Sequence, residues 1–446
     1  MIVRLCVAMV LFGIIMFPGL SEAIPAFAKK YEIACSLCHD SWTRLKVEGI
    51  KFKLNGYQMP NSEDGGEVAK HASAKNLFLD VGTGNPPLSI TVEGGIILSQ
   101  PTQGPDDQQE DKFFCCVEGN AVTLSAGGTL APNIGYWLSL PWGKENVQQA
   151  YLRFVNWFGP GYMSMDIGAI KVVDYDVVGA GREWFGTPLI AFHGSPYNNN
   201  SNEVGLTAPH NDTGVRFYGK PEFGPFTYEM GFYTGSQIVS AGDDDNSLAQ
   251  TLMGRIDAGP LALSLRYWNN KTGVLDQSAV TTSGDTITFV ANSRDTDEET
   301  QQFILSVRYR HPSFALDATF DNTRFSLGDR ATTILGTEHT FSQDTITRTG
   351  LSVGAIWYIN SWFETGLAYG TSNHDDYIRV IDGVSQNVTG LSVGLIQLRI
   401  NVRPTQNTVV ALETQYDLSN SDARKRSDGE EFDAQNKMVL QWKFSF

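Results

Sequence analysis

The sequence predicts a mainly β chain: a 16-stranded antiparallel outer-membrane β-barrel, with a small α-helical c-type haem domain at its N-terminal end that plugs the lumen. Three observations lead there. Apolar and polar residues alternate from about residue 88 onward, the connectors between the alternating segments are short and long in turn, and a C-x-x-C-H motif lies near the start of the chain. The chain has 446 residues, a formal charge of −16, 41% hydrophobic and 18% charged residues. That is too apolar for a disordered chain and too poor in charge for an ordinary cytosolic enzyme. The acidic balance leaves no basic stripe to neutralise phosphates, so no nucleic-acid partner is expected. By length, the choice is two or three soluble domains, or one large closed β-structure with an appendage.

The N-terminus reads as a secretory signal peptide over residues 1–23. Arg4 supplies the positive end, Leu5 to Phe17 form an apolar run of 13 residues, and Pro18-Gly19 break it ahead of Ser21-Glu22-Ala23. Such a run is too short to span a bilayer, which needs roughly 20 residues. Cleavage after Ala23 removes Arg4 and Glu22 together, so the mature charge stays at −16. It also removes Cys6 and leaves Cys35, Cys38, Cys115 and Cys116.

Residues 24–80 form the expected monohaem cytochrome c domain. In Cys35-Ser36-Leu37-Cys38-His39, two thiols are spaced to add to the vinyl groups of one haem c, covalently, with His39 next to them as the proximal iron ligand. A structural zinc site would need a second ligand pair, which Cys115-Cys116 does not supply in spacing. A plain Cys35–Cys38 disulfide is the alternative. For the distal ligand the spacing leaves two candidates. Met59, in Gly56-Tyr57-Gln58-Met59-Pro60, would raise the reduction potential, and His71 would lower it. So short a domain buries little surface and needs a staple, which covalent haem provides. Asp40 to Leu54 reads as a helix stopped at Asn55-Gly56, with Tyr31, Trp42, Phe52 and Tyr57 walling the haem or forming a small core.

Residues 88–446 form the expected porin-like barrel. Met438, Leu440, Trp442, Phe444 and Phe446 alternate with Val439, Gln441, Lys443 and Ser445; Leu261, Leu263, Leu265 and Tyr267 alternate with Ala262, Ser264, Arg266 and Trp268. A soluble sandwich also alternates, so the connectors discriminate. Short turns at 131–133, 158–161, 221–225, 259–260, 312, 359–361 and 403–406 separate long polar segments at 99–120, 173–211, 236–248, 271–300, 324–347, 373–388 and 418–434. This is the pattern of a barrel with both chain ends at the periplasmic rim. Aromatic residues near strand ends (among them Trp137, Trp142, Trp157, Trp357, Trp362 and Tyr416) suit interfacial girdles. The phase change between Leu395 and Ile396 predicts a bulge. Asp317, Asp321, Arg266, Arg308, Arg310 and Glu413 fall on the lumen face, where they either hold the plug or solvate a pore.

The segment Ile24-Pro-Ala-Phe-Ala-Lys-Lys-Tyr31, Cys35 to His39, and Gly49-Ile-Lys-Phe-Lys-Leu-Asn-Gly-Tyr57 resembles the start of the fused monohaem cytochrome c–porins, the outer-membrane iron oxidases of iron-oxidising bacteria. The resemblance is at motif level over residues 24–60 and architectural beyond. It implies location in the outer membrane of a Gram-negative cell and oxidation of extracellular Fe²⁺ as electron donor. The electron would pass inward to a periplasmic c-type cytochrome or cupredoxin. Acidic clusters in the long segments, such as Asp243-Asp244-Asp245, would steer Fe²⁺, stay solvated, or make divalent-bridged contacts to lipopolysaccharide. The resemblance assigns no role to Cys115-Cys116. Two other readings compete: a solute porin gated by its haem domain, and an outward conduit reducing extracellular acceptors.

Overall fold

The computed structural model describes residues 27, 35–39, 45–58, 88–99, 112–115, 122–131, 133–142, 147, 149–177, 211–234, 248–272, 281–283, 286–288, 298–326, 330–334, 337–360, 362–381, 383–388, 390, 392–405, 408–419 and 436–445. Residues 1–23, Met59, His71 and Cys116 lie outside them.

The alternating segments become the staves of one closed antiparallel barrel. They are β1 (Leu88–Ser99), β2 (Val122–Ala131), β3 (Ile134–Pro141), β4 (Gln149–Trp157), β5 (Met163–Lys171), β6 (Asn211–Gly219), β7 (Phe226–Tyr233) and β8 (Ala249–Ala258). They continue with β9 (Leu261–Thr272), β10 (Glu298–His311), β11 (Phe314–Ser326), β12 (Ile346–Tyr358), β13 (Phe363–His374), β14 (Ser392–Thr405), β15 (Thr408–Asp417) and β16 (Lys437–Ser445). Each pairs with its sequence neighbour, and β1 closes the ring against β16 from Thr91↔Ser445 to Ser99↔Lys437. The sheet holds a seventeenth segment, Lys112–Cys115, which pairs with the upper half of β1 while β2 pairs with the lower half, so the two share one stave. Cys115 sits opposite Gly94 in that pairing. Closure leaves no sheet edge to be satisfied in hydrocarbon.

The two faces invert the order of a soluble protein. Leu152, Ile167, Leu252, Leu263, Leu316 and Leu367 are exposed on the outside, whereas Arg153, Asp166, Thr251, Ser264 and Ser306, at the alternate positions, are buried inside. Among the described residues no helix is long and apolar enough to cross a membrane, and the outward apolar band is that of a strand-built span. Trp142, Trp157, Trp357, Trp362 and Tyr416 are exposed on the outside, as interfacial girdles require. Trp137 is not one of them: it stacks on Tyr57, inside.

Three further departures have physical causes. The segments 324–347 and 373–388 are not simple polar loops. They carry Arg330–Ile334, Thr337–Gln343, Tyr377–Ile381 and Val384–Val388, which pair into a four-stranded sheet above the long-connection rim. These segments are rich in Thr, Ile and Val, and Asp382-Gly383 is a hairpin turn signal. Thr281–Ser283 and Thr286–Thr288 form a further small hairpin. The bulge expected at Leu395–Ile396 is absent: β14 pairs with β13 without interruption from Ser392 to Val402. The register shift lies between Val402 and Thr405, where Pro404 has no N–H to give the ladder.

Candidate functional site: a segment seated in the barrel lumen

The C-x-x-C-H motif forms α1 (Cys35–Cys38), followed by His39, which pairs with Leu45 in an isolated antiparallel bridge. Helix α2 (Val47–Leu54) begins later than the expected Asp40, because Leu45 is in the bridge and Lys46 is extended, its N–H donating to Cys38 O at 2.8 Å. Gly49 lets α2 cross the motif: a Cβ there would lie 2.3 Å from Cys38 O. The helix stops where expected. Gly56 has φ 70° and Tyr57 φ 64°, and Asn55 donates through Nδ2 to Gln58 O.

The donor set fits a covalent haem. Positions 35 and 38 are one helical turn apart, on the same side of α1. His39 follows directly, and the crossing at Gly49 holds α2 close against Cys38. Cys35 and Cys38 would carry the group and His39 would ligate its iron.

This segment bridges the lumen near the rim of short turns. On one side Arg310 of β10 donates through Nη2 to Leu45 O at 3.1 Å. On the other, Arg153 of β4 donates to Lys53 O at 2.5 Å, Tyr57 Oη lies 2.7 Å from Tyr151 Oη, and Asn156 donates to Asn55 Oδ1 at 2.8 Å. Phe27, Phe52, Tyr57 and Trp137 form one aromatic cluster, with Phe27 5.2 Å from Tyr57 and Tyr57 5.6 Å from Trp137. Phe27 and Tyr57, stacked on Trp137, thus fix the segment to β3, with Phe52 packed behind them. Backbone contact is so close that a Cβ at Gly135 of β3 would lie 2.5 Å from Gly56 O.

A second piece of chain shares the lumen. Residues 172–177, after β5, fold inward: Asp176 pairs with Arg266 at 2.9 Å, Tyr175 O accepts from Arg255, and the Val177 N–H donates to Ser264 Oγ at 3.0 Å. Asp174 meets Lys53 of α2 at 2.5 Å. Burial pushes the Asp174 carboxyl up, but Lys53, Arg216 and Lys171 outweigh it and hold the group well below the usual carboxylate range. Burial raises the Tyr57 hydroxyl to about 12, so it stays protonated toward Tyr151. Behind these contacts, Asp166 takes both Arg153 (2.7 Å) and Arg216 (2.5 Å), with all three fully buried.

Of the lumen charges expected to hold the segment, Arg310 does so directly, through Leu45 O. Arg266 acts through the inward loop, Arg308 pairs with Asp317, Arg348 with Asp321 and Arg399 with Glu413, all on the wall itself. Arg153, Tyr151, Asn156 and Asp174 were not legible as seats, since the partners lie 94 to 101 residues away for the strand contacts.

This geometry defines a class: a sixteen-stave, polar-lumened barrel with an outward apolar band is the fold of the outer-membrane porins. Solved structures bear out the likeness. OmpT of Vibrio cholerae, as a loop L8 deletion mutant, matches with TM-score 0.52 at 12% identity over 80% of this chain and 98% of its own. The anion-selective porin from Comamonas acidovorans gives 0.51 and 12% over 80% and 100%. Salmonella typhi OmpF, solved in complex with daunomycin, gives 0.51 and 11% over 80% and 97%. At such identities the likeness is one of fold. No protein-family model matches the sequence, and no curated protein is significantly similar to it.

Proposed function

We propose that this chain is an outer-membrane cytochrome–porin that oxidises extracellular Fe²⁺ at one covalent haem c and passes the electron inward to a periplasmic c-type cytochrome or cupredoxin. The observation that supports the reading is the seating of residues 45–58 inside the barrel, with Leu45 bonded to Arg310 on one wall and Lys53 to Arg153 on the other, and with Leu45 bridged to His39 of the motif. In this reading both chain ends lie on the periplasmic side, at the rim of short turns. A haem near this rim lies most of an apolar band of about 25 Å from the outer surface, so the lumen is the path by which Fe²⁺ reaches it. When bound, a haem would supply one-electron redox chemistry, able to take an electron from Fe²⁺, which leaves as Fe³⁺, and to pass it on. Cys35 and Cys38 would hold it and His39 would ligate its iron, with Met59 and His71 the candidates for a second ligand. The inward loop and α2 narrow the channel, so that the electron rather than solute crosses the rim.

Rapid mixing of the purified ferric protein with excess Fe²⁺ tests the reading: reduction of one haem per chain is expected, and a ferric spectrum that does not change would end it. The resemblance of the fold to solute-conducting porins supports a second reading, a porin whose haem-bearing segment is a gate. High single-channel conductance with the segment in place would favour that reading over the first.

A further inference from the structure

We propose that Lys271, Gln301 and Arg324, on the outer wall of β9, β10 and β11, form a binding site for the phosphate of lipid A, the phosphorylated glycolipid of the outer leaflet. This rests on the long-connection rim lying at the cell surface and does not depend on haem attachment.

Charge is scarce on the outer wall. Period-two alternation turns mainly Leu, Phe, Val, Thr and Asn outward along β7 to β15. Among the described residues, the Lys, Arg, Asp and Glu side chains that fall on that face are Lys271, Glu299 and Arg324. All three lie on adjacent strands at the long-connection rim. Lys271 sits opposite Glu299 across β9 and β10, and Arg324 of β11 sits opposite Gln301, two residues along from Glu299. At the corresponding outward positions β12 and β13 carry Thr347, Thr349, Thr371 and Asn373. A rim that only needs solvating is thus served without charge.

Height and charge define the ligand. Lys271, Glu299 and Arg324 each stand four residues nearer the rim than an outward aromatic, Tyr267, Phe303 and Phe320 in turn, and the Tyr267 and Phe303 rings are 4.8 Å apart. Four residues are about 13 Å along a tilted strand, which lifts the charges from the interfacial aromatic level to that of the lipid headgroups. Below them Leu265, Leu305 and Leu316 are exposed to take acyl chains. Glu299 lies 3.9 Å from Lys271 and accepts from Gln301 Nε2 at 2.9 Å, so its charge is answered within the cluster. Arg324 is exposed and, among the described residues, in no ion pair. Its uncompensated guanidinium is the group that binds phosphate through paired N–H donors. The chain as a whole carries −16. A local excess of positive charge at headgroup height is the complement that a phosphate-rich leaflet finds on an otherwise acidic protein.

The test uses full-length protein purified in detergent and native mass spectrometry, with bisphosphorylated lipid A as the probe. The double variant Lys271→Gln, Arg324→Gln changes side chains that face out of the barrel, and β-sheet circular dichroism checks that the wall still assembles. The parent is expected to bind lipid A about tenfold more tightly than the double variant and to keep it in excess inorganic phosphate. Dephosphorylated lipid A should bind parent and variant alike, and phosphatidylglycerol should bind the parent more weakly than lipid A does. Equal affinity of parent and double variant for lipid A would overturn the proposal. So would parent affinity for dephosphorylated lipid A or phosphatidylglycerol that matches its affinity for lipid A, or displacement of the lipid by inorganic phosphate. If the double variant does not fold, Arg324→Gln alone is expected to weaken lipid A binding about threefold, with most of the affinity kept in Arg324→Lys. Parent affinity in folded Arg324→Gln would overturn the proposal equally.

Discussion

Arg153 joins the barrel to the segment it holds. Its guanidinium bonds both oxygens of Asp166, the Tyr175 hydroxyl and Lys53 O. Arg153→Ala leaves Asp166 with Arg216 alone, and breaking a buried pair costs about 3–5 kcal/mol. Urea unfolding of the barrel in lipid vesicles should show a loss of that order, and protease should cut between Leu45 and Gln58 faster than in the parent. The Lys53–Asp174 pair gives a pH prediction with a definite sign. The Asp174 carboxyl is depressed in the folded state, so its contribution is complete above the unfolded value of about 3.9 and is lost as pH falls toward the folded one. Protease access to residues 45–58 should therefore be flat from pH 7 to about 4 and rise only below. A rise already between pH 7 and 5 would count against the pair as the tether. At this scale, the C-x-x-C-H motif is visible in sequence because its residues are contiguous. The residues that seat the following segment are not, because Tyr151, Arg153 and Asn156 look like ordinary lumen-facing strand positions until the fold brings Tyr57, Lys53 and Asn55 to them.

Elements were the most legible level. The staves could be read from period-two alternation, β6 least clearly, since a barrel wall has lipid on one side and a polar lumen on the other along its whole length. Even β6, whose sequence Asn211–Gly219 alternates poorly, takes its place between β5 and β7. What escaped was structure outside the wall. The four-stranded sheet lies in segments read as long polar connectors, and its alternation is diluted by Glu338, His339 and Gln386. The late start of α2 was hidden because Leu45 fits a helical period while its backbone pairs with His39. The close approach of Gly135 to Gly56 makes an element-level prediction. Gly135→Val should displace the segment from β3, raising protease cleavage within residues 45–58, with the β-sheet circular dichroism of the barrel unchanged. Unchanged cleavage would mean that the segment is not held at this wall.

The whole molecule combines a porin-type wall with a lumen crossed, near its short-turn rim, by the chain's own N-terminal segment and narrowed by the inward loop at 172–177. In planar bilayers the parent should conduct poorly, and a variant lacking residues 24–58 should open to the current of an unobstructed sixteen-stave pore. Equal currents would show that the segment does not obstruct the path. The central claim, that the lumenal segment carries one covalent porphyrin, is met most directly by intact-mass spectrometry of protein extracted from outer membranes. The account expects the polypeptide from Ile24 onward plus the mass of a single haem, and the bare polypeptide when Cys35 and Cys38 are both replaced by Ala. A parent chain at the bare polypeptide mass would contradict it.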